Sequence, residues 1–537
     1  MRDILIIKEQ FYDISTFCLS CVFGLLATYV SAQQTTHEPN IILIMVDDMG
    51  YSDIGAYGGE IHTPNLDQLA KEGVQFTQFY NTAKCTQSRA SLLTGLYHQQ
   101  TDNLNRTDNN VTLAEVFHYA GYETILSGKW HLGDWKNEKN TPLDRGFDHY
   151  FGFLGGAINF FTGEDWGTGK NYMRMDRDTF PVPDNFYSTD YFTDYAIDQV
   201  TEASGKNQPF FLYLAYNAPH FPLQVPQENI EKYSQVYSKG WDHFRHTRYD
   251  RMKKLGLIKP DWTLSKRDSI VPPWESLGEE ERQEEQLLMA TYAGMIDRLD
   301  TQIGRLLTQL KKLNIADNTI ILFLSDNGGC PFDANRTPDL LPGPAESERT
   351  YDTEWANVSN TPFRKYKQWI HEGGISTPMI IRWPDKLKSD RMIQIPGQII
   401  DIMPTLIDLA GLKYPDDIAG RKVLPMEGKS LVSYLENEGP ASRANLLFWE
   451  YNGSRAVRDG MWKLVAERGM EWEFYNLEQD RTETNNLITH YPERVKKLAA
   501  EYDQWAERVG ARSNEESINM PVNRQDRYLY EEEKRPR

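Results

Sequence analysis

The chain has 537 residues, 77 of them acidic and 58 basic, for a net charge of -19. That balance excludes a nucleic-acid binder built on overall positive charge, because polyphosphate is repelled on average. With 40% hydrophobic residues and only 37 Gly and 27 Pro, the composition excludes a disordered or fibrous chain; at about 150 residues per domain it predicts more than one.

Phe17 to Val30 is an apolar run, and Val30-Ser31-Ala32 then places small residues where a signal peptidase reads. The reading is a signal peptide over 1–32, cleaved after Ala32, exporting the protein to the periplasm, the cell surface or the medium. The run is too short to cross a bilayer comfortably, so no stable membrane span is expected. Cys18 and Cys21 leave with this segment. Cys85 and Cys330 remain, and either they pair with each other or one of them does chemistry.

Asn40 to Val46 reads as a buried strand running into Asp47-Asp48. Thr63-Pro64 opens a helix whose Leu66, Leu69 and Ala70 share a face and which Gly73 ends. Cys85-Thr86-Gln87-Ser88-Arg89 leads into a short helix closed by Gly95, with Cys85 and Arg89 one turn apart on one face. Thr112 to Glu115 is a capping box, and Gly121 closes its helix. Tyr122 to Leu126 is a strand running into Ser-Gly-Lys129-Trp-His131, and Pro209 to Tyr216 one running into Asn-Ala-Pro-His220. Residues 227–285 and 331–360 read as polar insertions, the second as a long loop. Ile296, Leu299, Ile303, Leu306, Leu310 and Leu313 keep helical spacing. Thr319 to Leu324 is a strand running into Ser-Asp326-Asn327-Gly-Gly.

Unbroken apolar strands alternating with helices predict an α/β fold: a large mixed, mostly parallel sheet sandwiched by helices. The polar clusters all follow strand ends, where such sheets bind ligands. After about residue 440 short strand candidates (445–449, 454–457, 462–465, 473–475) and a helix near 491–509 predict a smaller α+β subdomain. The expected division is signal peptide 1–32, catalytic domain 33–439 and antiparallel-sheet subdomain 440–537.

Asp47, Asp48, Asp326 and Asn327 are hard oxygen donors, suited to Ca²⁺ or Mg²⁺ rather than zinc. Taken alone, Cys85 reads either as a small buried residue or as a thiolate nucleophile, and a thiolate matches a hard ion badly.

The segment CTQSRASLLTG resembles the signature of the type I, formylglycine-dependent sulfatases of the alkaline phosphatase-like superfamily. IILIMVDDMG (41–50), SGKWHLG (127–133), Ala218-Pro-His220, SDNG (325–328) and Lys367 with Glu372-Gly373-Gly374 match in order. The tail, with GMWKLV and EFYNLEQDRTETNNL, resembles the C-terminal subdomain of that family. The resemblance implies that Cys85 is oxidised to formylglycine, whose hydrate is both an oxygen nucleophile and an oxygen ligand. It implies one Ca²⁺ held by Asp47, Asp48, Asp326, Asn327 and the modified Cys85, with Asp326 as a proton acceptor. Arg89, Lys129 and Lys367 would bind sulfate oxygens, His220 with Lys367 would protonate the leaving oxygen, and His131 would deprotonate the second hydroxyl. Gln87 stands where the maturation signal Cys-x-Pro-x-Arg usually has proline, so a maturase that accepts Gln is implied. Arg364, His371 and Trp355 are further candidates for contact with the substrate, a sulfated polysaccharide or oligosaccharide. Two other readings stay open: a phosphoester or phosphonate ester hydrolase of the same superfamily, and a catalytically silent carbohydrate-binding protein with unmodified Cys85.

Overall fold

The computed structural model describes residues 38–418, 420–436, 439, 442–512 and 514–519; the predicted signal peptide and its cleavage site lie outside them. Among the described residues no helix is long and apolar enough to cross a membrane.

Eleven strands form one sheet: β1 (Asn40–Val46), β2 (Val74–Tyr80), β3 (Glu123–Lys129), β4 (His149–Phe153), β5 (Met173–Met175), β6 (Asp178–Thr179), β7 (Phe210–Ala215), β8 (Thr319–Ser325), β9 (Ser376–Arg382), β10 (Arg391–Ile393) and β11 (Gly397–Gln398). Their order is β10-β2-β9-β8-β1-β7-β3-β4-β5-β6, with β11 also on β2. The central strands β8, β1, β7, β3 and β4 are parallel, whereas β9 runs against both of its neighbours. The longer helices are α1 (Pro64–Glu72), α2 (Cys85–Thr94), α3 (Leu113–Tyr119), α4 (Ser188–Gly205), α5 (Gly240–Leu255), α6 (Glu279–Lys312), α7 (Asp352–Ser359), α8 (Ile402–Leu409) and α9 (Pro492–Val509).

The apolar runs are unbroken because the sheet separates two cores. In β1, Ile42, Ile44 and Val46 join Leu66 of α1, Phe192 of α4 and Leu299 of α6. The alternate residues Ile41, Leu43 and Met45 join Leu92 of α2, Val116 of α3 and Met403 of α8. Side chains of period two thus feed both faces. The expected mixed, mostly parallel sheet sandwiched by helices is what the chain forms.

Both polar insertions are partly helical. The Glu-rich run assigned to the polar insertion opens α6 at Glu279, because the Glu281 carboxylate accepts from the Gly278 N–H at 2.7 Å and Glu279 to Glu281 place negative charge on the first turn. The long loop of 331–360 ends in α7.

A two-stranded ribbon, β12 (Asp417–Ile418) and β13 (Arg421–Lys422), precedes a four-stranded antiparallel sheet, β14 (Leu447–Tyr451), β15 (Ser454–Asp459), β16 (Trp462–Ala466) and β17 (Glu473–Asn476). One face of this sheet buries Val457, Leu464 and Phe474 against Leu498, Tyr502 and Trp505 of α9. The other packs Trp449, Val465 and Tyr475 on Tyr80, Ala83, Ile370 and Ile375 of the main body.

Candidate active site

The carboxyl ends of β1, β3, β7 and β8 are neighbours in the sheet, and the residues just beyond them meet. Asp47 and Asp48 leave β1. The Asp47 N–H donates to Ala218 O at 3.1 Å and the Asp48 N–H to the Asp326 carboxylate at 3.1 Å. Lys129 ends β3. It is brought there by Gly128, whose φ of +114° would place a β-carbon 2.0 Å from Ala215 O of β7, so only glycine fits. Asp48 (φ 67°) and His131 (φ 54°) adopt the left-handed conformation without being glycine, a strain that clusters at functional sites. The amino end of α2 is fastened to the end of β8, since the Ser88 hydroxyl donates to Asp326 O at 2.6 Å.

The result is a buried cluster of three carboxylates and three cations. Lys129 Nζ lies 2.5 Å from Asp47 Oδ2, and Lys367 Nζ lies 2.6 and 2.7 Å from the two oxygens of Asp48. Arg89 Nη2 donates to Asp326 Oδ2 at 3.0 Å and lies 3.8 Å from Asp47 Oδ1. Asn327 Nδ2 donates to Asp48 Oδ1 at 2.7 Å. His220 places Nε2 3.4 Å from Asp48 Oδ2, while its Nδ1 lies 2.6 Å from Phe221 O. Cys85, the first residue of α2, has Sγ 3.5 Å from His131 Nδ1. Arg89, Lys129, Asp47 and Asp326 are fully buried, and Cys85 is 2% exposed.

Charge decides the protonation states. Burial alone would raise the Asp47 and Asp48 carboxyls. The permanent cations outweigh it: Lys129 and then Arg89 hold Asp47 low, and Lys367 holds Asp48 low. Asp326 goes the other way, raised by burial and then by Asp47. Burial opposes ionisation of the Cys85 thiol, but Lys129 and Lys367 bring it below its usual value. Burial, then Lys129 and Arg89, push His131 well down, and burial pushes His220 down to about 4.

The donor set fits a hard cation. Ligand atoms of Asp47, Cys85 and Asp326 lie within 4.8 Å of one another, as do those of Asp47, Asp48 and His220. Asp47 Oδ1 and Asn327 Oδ1 are buried without a hydrogen-bond partner, the state expected of oxygens reserved for an ion.

The structure thus brings together Asp47, Asp48, Cys85, Arg89, Lys129, His131, His220, Asp326, Asn327 and Lys367. Three further candidates lie outside this cluster. Trp355 is fully buried against Tyr237, Trp241 and Trp274, so it packs the inserted segment onto α7. Arg364 donates to Glu483 O at 2.7 Å and Tyr475 OH at 3.0 Å. His371 is buried and pairs with Glu473 at 3.1 Å. Both anchor the C-terminal sheet. The pairing of Cys85 with Cys330 is corrected, since both are free and buried.

Sequence reading passed over Thr86, whose hydroxyl lies 3.3 Å from both ring nitrogens of His131, and Tyr213, whose hydroxyl accepts from Arg89 at 3.4 Å. The signal for Tyr213 was available: a phenol inside an apolar strand needs a polar partner.

Residues 39–412 match the family model described as Sulfatase, and residues 363–508 match the one described as N-sulphoglucosamine sulphohydrolase, C-terminal. An arylsulfatase of Klebsiella aerogenes is 36% identical over 449 residues, covering 78% of this chain and 96% of that relative. An uncharacterized sulfatase of Schizosaccharomyces pombe is 34% identical over 521 residues, covering 87% of this chain and 93% of its own length. Among solved structures, that of Ps i-CgsB in complex with k-i-k-neocarrahexaose superposes with a TM-score of 0.67 at 26% identity, covering 92% of this chain and 100% of that one.

Proposed function

Because the chain belongs to the sulfatase family and is an enzyme of it, we propose that it is an exported, calcium-dependent hydrolase of sulfate esters on a sulfated oligosaccharide or polysaccharide, with formylglycine made from Cys85 as its nucleophile. The observation that carries the reading is the seat of Cys85, whose Sγ is 3.5 Å from His131 and within 4.8 Å of carboxylate oxygens of Asp47 and Asp326. A thiol has no use for a hard ion there, and an oxygen-bearing derivative does. The sugar class is supported by the structural relative solved with a neocarrahexaose.

Asp47, Asp48, Asp326 and Asn327 would hold the Ca²⁺, which supplies positive charge to the sulfate oxygens. The hydrate of formylglycine supplies the attacking oxygen. The chain's own cations do the rest of the charge work. Arg89, Lys129 and Lys367 surround the position next to residue 85, where negative charge spreads over oxygens during sulfuryl transfer. With Nδ1 of His220 held against Phe221 O at 2.6 Å, Nε2 is the nitrogen that faces the departing sugar oxygen; it gives a proton there from the imidazolium form, which burial opposes and the Asp48 carboxylate 3.4 Å away favours. His131, kept neutral by burial and by Lys129, is the base for a proton on residue 85.

The test is tandem mass spectrometry of the Cys85 peptide from protein purified out of its native host, followed by turnover of an aryl sulfate and an aryl phosphate. Formylglycine with a clear sulfate preference is the expected outcome and would show that a maturase tolerates Gln87. An unmodified thiol in protein that still hydrolyses sulfate esters would overturn the nucleophile. A preference for phosphate would overturn the reaction class.

A further inference from the structure

A second concavity lies away from the carboxylate cluster, between the C-terminal sheet and the side of the main sheet where β10 and β11 pair with β2. It encloses about 890 Å³, within the range of sites that bury a small ligand. Its walls come from β2, the segment after α5, the stretch between β10 and β11, the β15–β16 turn and Arg494 of α9. None of the residues around Cys85 lines it.

Its charge is opposite to that of the chain. Five basic side chains and two carboxylates line it, in a protein of net charge -19. Arg443 is held by Asp401 inside the protein, whereas Lys259 and Lys253 make only solvent-exposed pairs, with Glu478 and Asp250, each at 3.3 Å, and stay available to a ligand. Arg458 is different. It is only 4% exposed, yet it donates to Gly460 O, Tyr80 OH and Gln78 Oε1 at 2.7, 2.6 and 2.6 Å, all neutral acceptors. The Tyr80 hydroxyl stands between it and Glu372. Glu372, one hydroxyl further in, offsets part of the Arg458 charge, and an anion in the cleft would complete it. At the rim Arg494 lies 4.9 Å over the ring of Trp462, and Ile395, Trp262 and the exposed Met461 supply apolar wall.

Cations interleaved with apolar and aromatic surface match a ligand that alternates anionic groups with the C–H faces of rings. We propose that this cleft is a second, non-catalytic site that holds a sulfated oligosaccharide segment, retaining a polymer while its ester is cleaved elsewhere on the molecule. The anion preference stands on the cleft alone; the choice of a sugar rests on the function proposed above.

The experiment is a calorimetric titration of an ι-carrageenan hexasaccharide into the wild type and into a Lys259→Ala/Arg494→Ala variant, with Arg458→Gln as a second variant. An uncharged agarose hexasaccharide and vesicles of phosphatidylglycerol serve as comparators. Losing two rim charges should weaken the carrageenan fragment about tenfold, in a salt-dependent way, while the neutral sugar binds neither protein. Equal affinity in wild type and double variant would overturn the site. Vesicle binding of similar strength, lost in the same variant, would overturn the sugar assignment. Turnover of an aryl sulfate, unchanged in the double variant, reports the catalytic reading separately. Its absence in a formylglycine-bearing wild type would sink the sulfatase proposal while the titration still judged the cleft.

Discussion

Two clusters of opposite charges are buried in this molecule, and they are finished to different degrees. Around Glu372, one carboxylate oxygen accepts from Tyr80 OH and Arg481 Nε, each at 2.8 Å, and the other from Lys463 at 2.9 Å. Lys463 also reaches Glu483 at 2.8 Å, and the other Glu483 oxygen accepts from the Glu372 N–H. Every one of these side chains is buried, and together they hold the C-terminal sheet on the main sheet. Around Asp47 the same types of residue leave Asp47 Oδ1, Asn327 Oδ1 and Arg89 Nε without hydrogen-bond partners. The first cluster spends its polar groups on itself, with Glu483 Oε1 alone lacking an aligned hydrogen bond although Lys463 Nζ lies 2.8 Å away, as a structural joint does. The second holds some in reserve, as a site that must meet an ion and an anionic substrate does.

Substitutions can break that contrast, and the largest effect is expected at residue 85. Cys85→Ala should lower kcat by at least about 10⁴-fold, because it removes the nucleophile, while the melting temperature stays close to wild type. Steady-state kinetics beside a thermal melt decide it; substantial remaining turnover would move the nucleophile elsewhere. His220→Gln should lower kcat for a sugar sulfate by about 10²–10⁴-fold, the usual worth of a positioned acid. With a nitrophenyl sulfate, whose leaving group needs no proton, the fall should be smaller. Equal falls for the two substrates would deny His220 the acid role.

At the structural joint the loss should appear in stability. Lys463, Arg481 and Arg458 overcome burial and hold the Glu372 carboxyl down to about 2. A carboxyl depressed in the fold contributes stability that is fully present above its ordinary value near 4.5 and is lost as pH falls through the folded value. Urea midpoints should therefore decline as pH drops from about 4.5 toward 2. Glu372→Gln should flatten that decline and cost about 3–5 kcal/mol at neutral pH, because it leaves two buried cations short of a partner. Unchanged urea curves would show that the joint is not held by charge.

The contrast also explains what could be read along the chain. Asp47, Asp48, Asp326 and Asn327 were legible because each pair follows an unbroken apolar strand, and parallel strands bring their carboxyl ends to one edge. β2 and β9 were not. VQFTQFY interrupts its apolar residues with Gln75 and Gln78, and β9 enters the sheet against its neighbours between two parallel strands, an order set by long-range pairing. The Glu372-Gly373-Gly374 stretch was legible as part of a pattern but not as to its role. Its partners Lys463 and Arg481 lie about a hundred residues further on, and nothing local announces them. His371, Arg364 and Trp355 stand apart for the same reason: residue type suggests substrate contact, and only the fold shows the intramolecular partners each one has.

Trp355 supplies the smallest test and the most specific one. Its ring meets Tyr237, Trp241 and Trp274 edge-on, with centroids 5.5, 5.7 and 6.2 Å away, and Trp241 closes the far side by donating its indole N–H to Pro272 O. The indole N–H of Trp355 approaches the buried Glu285 carboxyl without a well-aligned hydrogen bond, so exchanging the indole for a phenyl ring removes volume and a weak polar contact. Trp355→Phe should then cost about 1–2 kcal/mol of stability through a small cavity, read as a lower urea midpoint. It should leave kcat/KM for an oligosaccharide sulfate within about twofold, the range of a substitution away from the chemistry. A substrate-contacting tryptophan would behave in the opposite way, raising KM severalfold with little change in the urea curve. The pair of measurements therefore separates a packing residue from a binding one.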